Sequence, residues 1–192
     1  AGLIFSNPNA GGGYHLGTYN TGSGNNLIGQ INSGGTVLVA APFTVGTSQI
    51  VRSYFGVNQG AGASQLQVSG GSVNTFTLVS ADYNSPQLDQ INIGRYPSPG
   101  HYENADVAEV IVFGAAQNTV SRNIITNYLS SKYAITITGD LYAGDEIGNG
   151  DYDFDVIGIG QEADGYDTEA NSQGFILSNN GFLTDNGDYL FA

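Results

Sequence analysis

Short runs of alternating or β-branched residues, broken by clusters of Gly, Asn and Ser, fill the chain from Leu3 to Ile93. An apolar–polar alternation of period two is the mark of a half-buried strand, and frequent turn residues between such runs mark a sandwich or barrel. The pattern predicts strands over residues 2–6, 14–19, 27–31, 36–40, 50–57, 65–69, 75–81 and 90–94. Gly11-Gly12-Gly13, Gly22-Ser23-Gly24, Gly34-Gly35, Gly60-Ala61-Gly62 and Gly70-Gly71 supply the reversals, because glycine reaches positive φ without a Cβ penalty. No strand–Gly loop–helix unit surrounds the triple glycine, so it reads as a turn and not as a phosphate cradle.

The pattern changes at Arg95-Tyr96-Pro97-Ser98-Pro99-Gly100, where two closely spaced prolines exclude a central strand and predict a loop. Residues 105–113 follow, with Val107, Glu109, Ile111 and Phe113 on one side and Asp106, Ala108, Val110 and Val112 on the other, a pattern that predicts a mostly buried strand. One helix comes next, at about 118–132. Asn118 or Thr119 is placed to cap it, Val120, Ile124, Ile125, Tyr128 and Leu129 recur as an apolar face, and Lys132 falls in the last turn, where a cation complements the dipole. A strand over 134–138 is expected to lead onward.

Composition supports an all-β reading. Twenty-nine glycines and twelve tyrosines, with only 11% charged residues, suit strands joined by tight turns. The 40% hydrophobic content suffices for a packed core, so disorder is not expected over most of the chain. Cysteine is absent, which excludes disulfides and thiolate metal sites. No apolar run approaches the length of a membrane helix. The start at Ala1, without Met, reads as a processed or excised piece of a larger secreted product.

Charge then divides the chain. All four basic residues, Arg52, Arg95, Arg122 and Lys132, precede residue 140, while residues 140–192 hold nine Asp and three Glu. The domain expectation is therefore a near-neutral β-sandwich over 1–139 and an acidic β-rich segment over 140–192, which folds separately, completes the sandwich or pairs with a neighbouring subunit. A surface of carboxylates alone repels nucleic acid and anionic lipid and gathers cations, so neither nucleic acid nor membrane insertion is expected.

Asp106–Phe113, the capped helix, and Tyr128-Leu129-Ser130-Ser131-Lys132-Tyr133-Ala134-Ile135-Thr136 together resemble the closing section of laminin-G-like, concanavalin-A-like modules of bacterial surface and secreted proteins. The tight match covers about 35 residues. Residues 3–102 fit the same sandwich loosely. Two departures stand out: Arg122 lies near the helix start where those modules carry an acid, and Ala134 replaces their usual Gly. The stretches Asp155-Val156-Ile157-Gly158-Ile159-Gly160-Gln161-Glu162, Gly174-Phe175-Ile176-Leu177-Ser178 and Asn186-Gly187-Asp188-Tyr189-Leu190 are similar to a β domain that often follows such modules. By this comparison both ends of the chain are incomplete, and the resemblance implies an extracellular, cell-surface setting.

Asp151, Asp153, Asp155 and Glu162 stand at positions 1, 3, 5 and 12 of a calcium loop, but Val156 occupies the sixth position, where such a loop needs Gly. Tyr152, Phe154 and Val156 alternate with the three Asp, which suits a strand with one acidic face. Two readings stay open: an irregular calcium site drawn from Asp140, Asp145, Glu146, Asp151, Asp153 and Asp155, or a solvated acidic face. Asp164-Gly165 and Asp185-Asn186-Gly187-Asp188 read as turns. Tyr96 and Tyr102 are candidates for stacking on a carbohydrate, although strand aromatics commonly serve the core.

Catalysis is poorly supported. Asp106 and Glu109 are three apart and face opposite sides of an extended strand, so they cannot flank one glycosidic bond. Glu109 reads as a hydrogen-bonded strand residue. His15 and His101 lack metal-ligand spacing, and no G-x-S-x-G elbow is present. Lys132, the lone lysine, reads as a helix cap and not as a crosslinking residue. The expected function is a non-catalytic structural or adhesive module, self-assembling through strand pairing that exchanges residues 1–6 or 189–192, or acting within tandem domains. The alternative is a calcium-assisted carbohydrate-binding module. No cofactor is required; calcium is the candidate ion and glycans the candidate ligands.

Overall fold

The structure is a computed structural model that describes residues 2–6, 15–20, 26–31, 37–56, 60–77, 92–94, 106–154, 156–172 and 174–192. It is mostly β-strand in small antiparallel sheets, with one α-helix. Contacts divide the chain into two compact units, one of Ala1–Thr47 with Val51–Ile111 and one of Ser48–Ile50 with Val112–Ala192. Among the described residues no helix is long and apolar enough to cross a membrane.

Among the described residues the first unit holds eight strands, at the places that the alternation predicts. These are β1 (Gly2–Ser6), β2 (His15–Asn20), β3 (Asn26–Ile31), β4 (Val37–Pro42), β5 (Val51–Tyr54), β6 (Ser64–Val68), β7 (Asn74–Phe76) and β8 (Asn92–Ile93). They form a five-stranded sheet in the order β4-β3-β2-β1-β8 and a three-stranded sheet β5-β6-β7. Leu16 and Ala41 from the larger sheet meet Leu66 from the smaller one, with Phe43, Val51, Val68 and Phe76 around them. Gly60, Gly62 and Gly70 have φ of 105°, 70° and 71°, so the turns on either side of β6 need their glycines.

In the second unit α1 (Thr119–Tyr133) is followed by two 3-10 turns, Ala143–Asp145 and Ile147–Asn149, and then by β9 (Gly158–Glu162), β10 (Gly165–Asp167), β11 (Glu169–Ser172), β12 (Phe175–Ser178) and β13 (Asp188–Phe191). The sheets are β10-β9-β13 and the two-stranded β11-β12. In β9, Gly158 and Gly160 pair with Phe191 and Tyr189 of β13. Their missing side chains make room for those two rings: a Cβ on Gly160 would lie 2.6 Å from Tyr189 Cδ1, and one on Gly158 would lie 2.9 Å from Phe191 and 3.1 Å from Ile124 of the helix. The rings stack with centroids 6.0 Å apart. Ile159, between the two glycines, is fully buried.

Three expected strands are absent. Residues 106–113 form no strand, and Val107, Val110, Ile111, Val112 and Phe113 are exposed, as is Glu109. Alternation specifies two faces, but a ladder also needs a neighbour to supply its hydrogen bonds. Residues 135–137 are a helix exit instead of a strand, with the Ile135 N–H donating to the Ser130 carbonyl at 2.9 Å. Residues 151–154 are a bend, with Tyr152 and Phe154 exposed and Asp151 at φ 58°, so no acidic-faced strand runs there. The boundary expected at residue 139/140 falls inside the second unit, because the helix packs on β9 and β10 and holds the acidic segment by hydrogen bonds.

Candidate functional site

Helix α1 starts where Asn118, at extended φ/ψ, accepts the Ser121 N–H on Oδ1 at 2.8 Å. The first turn has no acid of its own. Asp164, in the turn between β9 and β10, supplies the charge from a distance. Its two carboxylate oxygens accept the Thr119 N–H at 3.1 and 3.0 Å, and Oδ2 also accepts the Thr119 hydroxyl at 2.9 Å. Arg122 Nη2 stands 3.7 Å from the same oxygen and donates to Thr119 Oγ1 at 2.6 Å. Partial burial opposes ionisation of Asp164, but the Thr119 donors and then Arg122 outweigh it and hold the carboxyl below its usual value. Ser121 donates to Asp167 Oδ2 at 2.9 Å. The negative charge that complements this helix terminus thus comes from the β9–β10 turn and from β10.

One turn further, Asn123 Nδ2 donates to the Tyr189 hydroxyl at 2.7 Å, which itself donates to Glu162 Oε1 at 2.9 Å. Burial, with the hydrogen bond to Glu162, pushes the Tyr189 phenol up to about 12. Glu162, the twelfth position of the calcium-loop pattern, is therefore engaged on β9. The turn Asp185-Asn186-Gly187-Asp188 is also closed internally, since Asp188 Oδ2 accepts the N–H groups of Asp185 and Thr184, both at 3.0 Å. These bonds hold the Asp188 carboxyl below its ordinary range.

The buried side of the helix is unlike the apolar face that its sequence predicts. Val120 is buried, but so are Asn127, Ser130 and Ser131. Asn127 Oδ1 accepts the N–H groups of Leu141 and Tyr142 at 2.7 and 3.1 Å, while its Nδ2 donates to the Asn123 carbonyl at 2.9 Å. Ser130 donates to the Ile135 carbonyl at 2.6 Å and Ser131 to the Tyr152 carbonyl at 3.3 Å. These polar groups are buried because they satisfy the backbone of the segment that follows the helix. Lys132 lies in the last turn as expected, donating to the Tyr128 hydroxyl at 2.6 Å, with its ammonium over the Tyr128 and Tyr133 rings. Ala134 closes the helix at φ 50°, the left-handed conformation that glycine would adopt more easily.

The acidic loop hangs from this anchored side. Asp140 Oδ1 accepts the Tyr142 N–H at 3.1 Å, and the Tyr152 N–H donates to the Gly144 carbonyl at 2.8 Å. Asn149 Nδ2 donates to the Ala143 carbonyl at 2.7 Å, and the Asp151 N–H donates to the Glu146 carbonyl at 3.3 Å. The bends place Asp140, Asp145, Glu146 and Asp153 near enough to interact. Burial first, then the charges of Asp140, Asp153 and Glu146, raise the Asp145 carboxyl. Burial likewise raises the Tyr142 phenol, with Asp145 and Asp153 adding to it.

Among the described residues no three Asp, Glu or His side chains converge as a metal-holding group. Asp155 of the candidate calcium set lies outside the described residues, as do the candidate carbohydrate residues Tyr96 and Tyr102 and the histidine His101. The sequence did not announce the Asn123–Tyr189–Glu162 chain, since no spacing rule connects residues so far apart. It did hold one hint of the Asp164 contact, namely a helix whose first turn carries Arg122 and no acid.

Comparison with family models, with curated proteins and with solved structures finds no match to this chain.

Proposed function

We propose that this chain is a non-catalytic extracellular module of a bacterial cell surface, a concanavalin-A-like (laminin-G-like) β-sandwich with an acidic β-rich extension, that assembles with copies of itself or with tandem neighbours through strand pairing. The observation that carries this reading is the state of the sheets. Among the described residues β11 and β12 pair only with each other, and β13 closes its sheet on one side. Open edges of this kind attract further strands unless charge or proline blocks them, and β12 carries neither. Within the chain β1 pairs with β2 and β8, and β13 with β9; exchange would have a neighbour's strand take over these same pairings. The use of Asp164, Asp167, Asp188 and Glu162 as acceptors for the fold's own donors also supports a structural role.

A calcium-assisted carbohydrate-binding module is the second reading. It draws on the crowding of Asp140, Asp153 and Glu146 around Asp145, a repulsion that a divalent cation would relieve. Negative-stain imaging and light scattering of the full chain, before and after a chelator, separate the two. Persistent assemblies that ignore the chelator are the expected result. Isolated particles whose glycan binding disappears with calcium would replace the first reading by the second.

A further inference from the structure

The strongest unassigned surface is the outer edge of β12. The hairpin register pairs Glu169 with Ser178, Ala170 with Leu177, Asn171 with Ile176 and Ser172 with Phe175. Just beyond it, the Asn179 N–H donates to the Thr168 carbonyl at 2.8 Å, which makes 168/179 a bonded pair. Bonded and non-bonded pairs alternate along an antiparallel ladder, so 170/177 and 172/175 face inward. The main-chain N–H and C=O groups of Ile176 and Ser178 therefore point away from β11. Among the described residues no strand pairs with them; β9, already bonded on both sides by β10 and β13, comes near β12 without pairing.

This edge is also apolar and uncharged. Phe175 and Ile176 are exposed, Ile176 at 65%. A hairpin of two strands is marginal by itself, and a third or fourth strand supplies what it lacks. Other edges are poorer candidates. β10, β11 and β13 carry Asp167, Glu169 and Asp188, so self-pairing there would bring carboxylates together. β4 is longer and equally uncharged, but β6 and β7 lie against it.

We propose that β12 is a two-fold seam between copies of this chain, in which β12 pairs antiparallel with β12 of a second copy about Ile176. This rests on the self-assembly reading above and names the surface that performs it. A two-fold axis through the sheet keeps each residue on its own face, so the register is centred on a residue. Centring on Ile176 opposes Ile176 with its own counterpart and Phe175 with the partner's Leu177. It also lets the outward groups of Ile176 exchange two hydrogen bonds across the axis. No charge faces another in the strand pair, and the result is a four-stranded sheet. A second copy fits better than a cationic partner, because the edge offers such a partner no charge to recognise. The acidic residues around the seam oppose close approach of two copies, so association strengthens as salt screens them.

The test uses sedimentation velocity of the full chain across protein and NaCl concentration, for the parent and for Ile176→Lys. It is joined by mild oxidation of Ile176→Cys, the only thiol in a chain without cysteine. Directly opposed residues of an antiparallel pair lie about 4.5–5.5 Å apart at Cα, within disulfide reach. The expected results are salt-promoted association, weakening by about tenfold or more in Ile176→Lys with an unchanged melting temperature, and a covalent dimer from Ile176→Cys. Association that survives Ile176→Lys, with no covalent dimer from Ile176→Cys, overturns the seam and leaves self-assembly standing. A parent chain that stays monomeric at every concentration and salt removes both.

Discussion

Two groups of carboxylates in the second unit have the same chemistry and opposite fates. Around the helix N-terminus, Asp164 and Asp167 face donors from α1, and Glu162 faces the Tyr189 hydroxyl. In the loop after the helix, burial and then the charges of Asp140, Asp153 and Glu146 act on Asp145, and its carboxyl rises where that of Asp164 falls. Acidity in the sequence is therefore not one property. A carboxylate is structural where the fold aims N–H, O–H or guanidinium groups at it, and a reservoir of repulsion where it does not.

The largest effect that would break this contrast comes from below the first group. Gly160→Ala puts a Cβ 2.6 Å from Tyr189 Cδ1 and 3.0 Å from the Asp188 carbonyl oxygen, displacing the ring that joins Asn123 to Glu162. The expected loss is about 2–3 kcal/mol in thermal or urea unfolding, typical of overpacking. Gly114→Ala, which meets nothing within 4 Å, is the neutral control.

Asn127→Ala acts on the second group. It leaves the Leu141 N–H without its buried acceptor and the Tyr142 N–H with Asp140 Oδ1 alone, for a cost of about 2 kcal/mol. Limited proteolysis should then cut within residues 141–153 first. Unchanged cleavage there would mean that Asn127 does not anchor the loop.

Tyr189→Phe tests the first group at alkaline pH. The phenol is raised to about 12 in the folded chain from its ordinary value of 10.0, so its contribution is complete below pH 10 and is lost as pH rises through about 12. The melting temperature of the parent should drop across that window. Tyr189→Phe should flatten this drop while costing about 1 kcal/mol at neutral pH through two lost hydrogen bonds.

The smallest effects carry the sharpest comparison, because they differ in sign. Asp164→Ala removes a helix-terminal acceptor and should cost about 1 kcal/mol at pH 7. Because the Asp164 pKa is lowered, that difference is present above the unfolded value of 3.8 and disappears as pH falls through the folded one. Asp145→Asn should be neutral to stabilising, within about 0.5 kcal/mol, since a raised carboxyl pKa means that ionisation at neutral pH costs stability. Equal losses from both variants would erase the distinction between the two groups.

How much of this was legible in the sequence depends on how local the cause was. The eight strands of the first unit and the helix with its Asn118 cap follow from alternation, turn glycines and capping chemistry, all set by near neighbours. The helix face was misread because Asn127, Ser130 and Ser131 are buried to serve the backbone of residues 135–152, an arrangement that amphipathic spacing does not encode. The strands expected at 105–113 and 134–138 had the right composition, but a strand requires a partner as well as a pattern. Of the candidate sites, the calcium pattern counted positions correctly yet could not show that Glu162 is engaged by Tyr189. Ala134 at the helix exit was visible, and its φ of 50° is a conformation that glycine would adopt more easily.

Thr119 and Asp164 are 45 residues apart, so the helix cannot obtain its N-terminal counter-charge until the β9–β10 turn has formed and docked. A peptide covering only the helix would lack that partner, and short helices nucleate poorly without support. Helix and hairpin should then appear together during folding, late and in a single step, with the closing of that long loop as the event that both await.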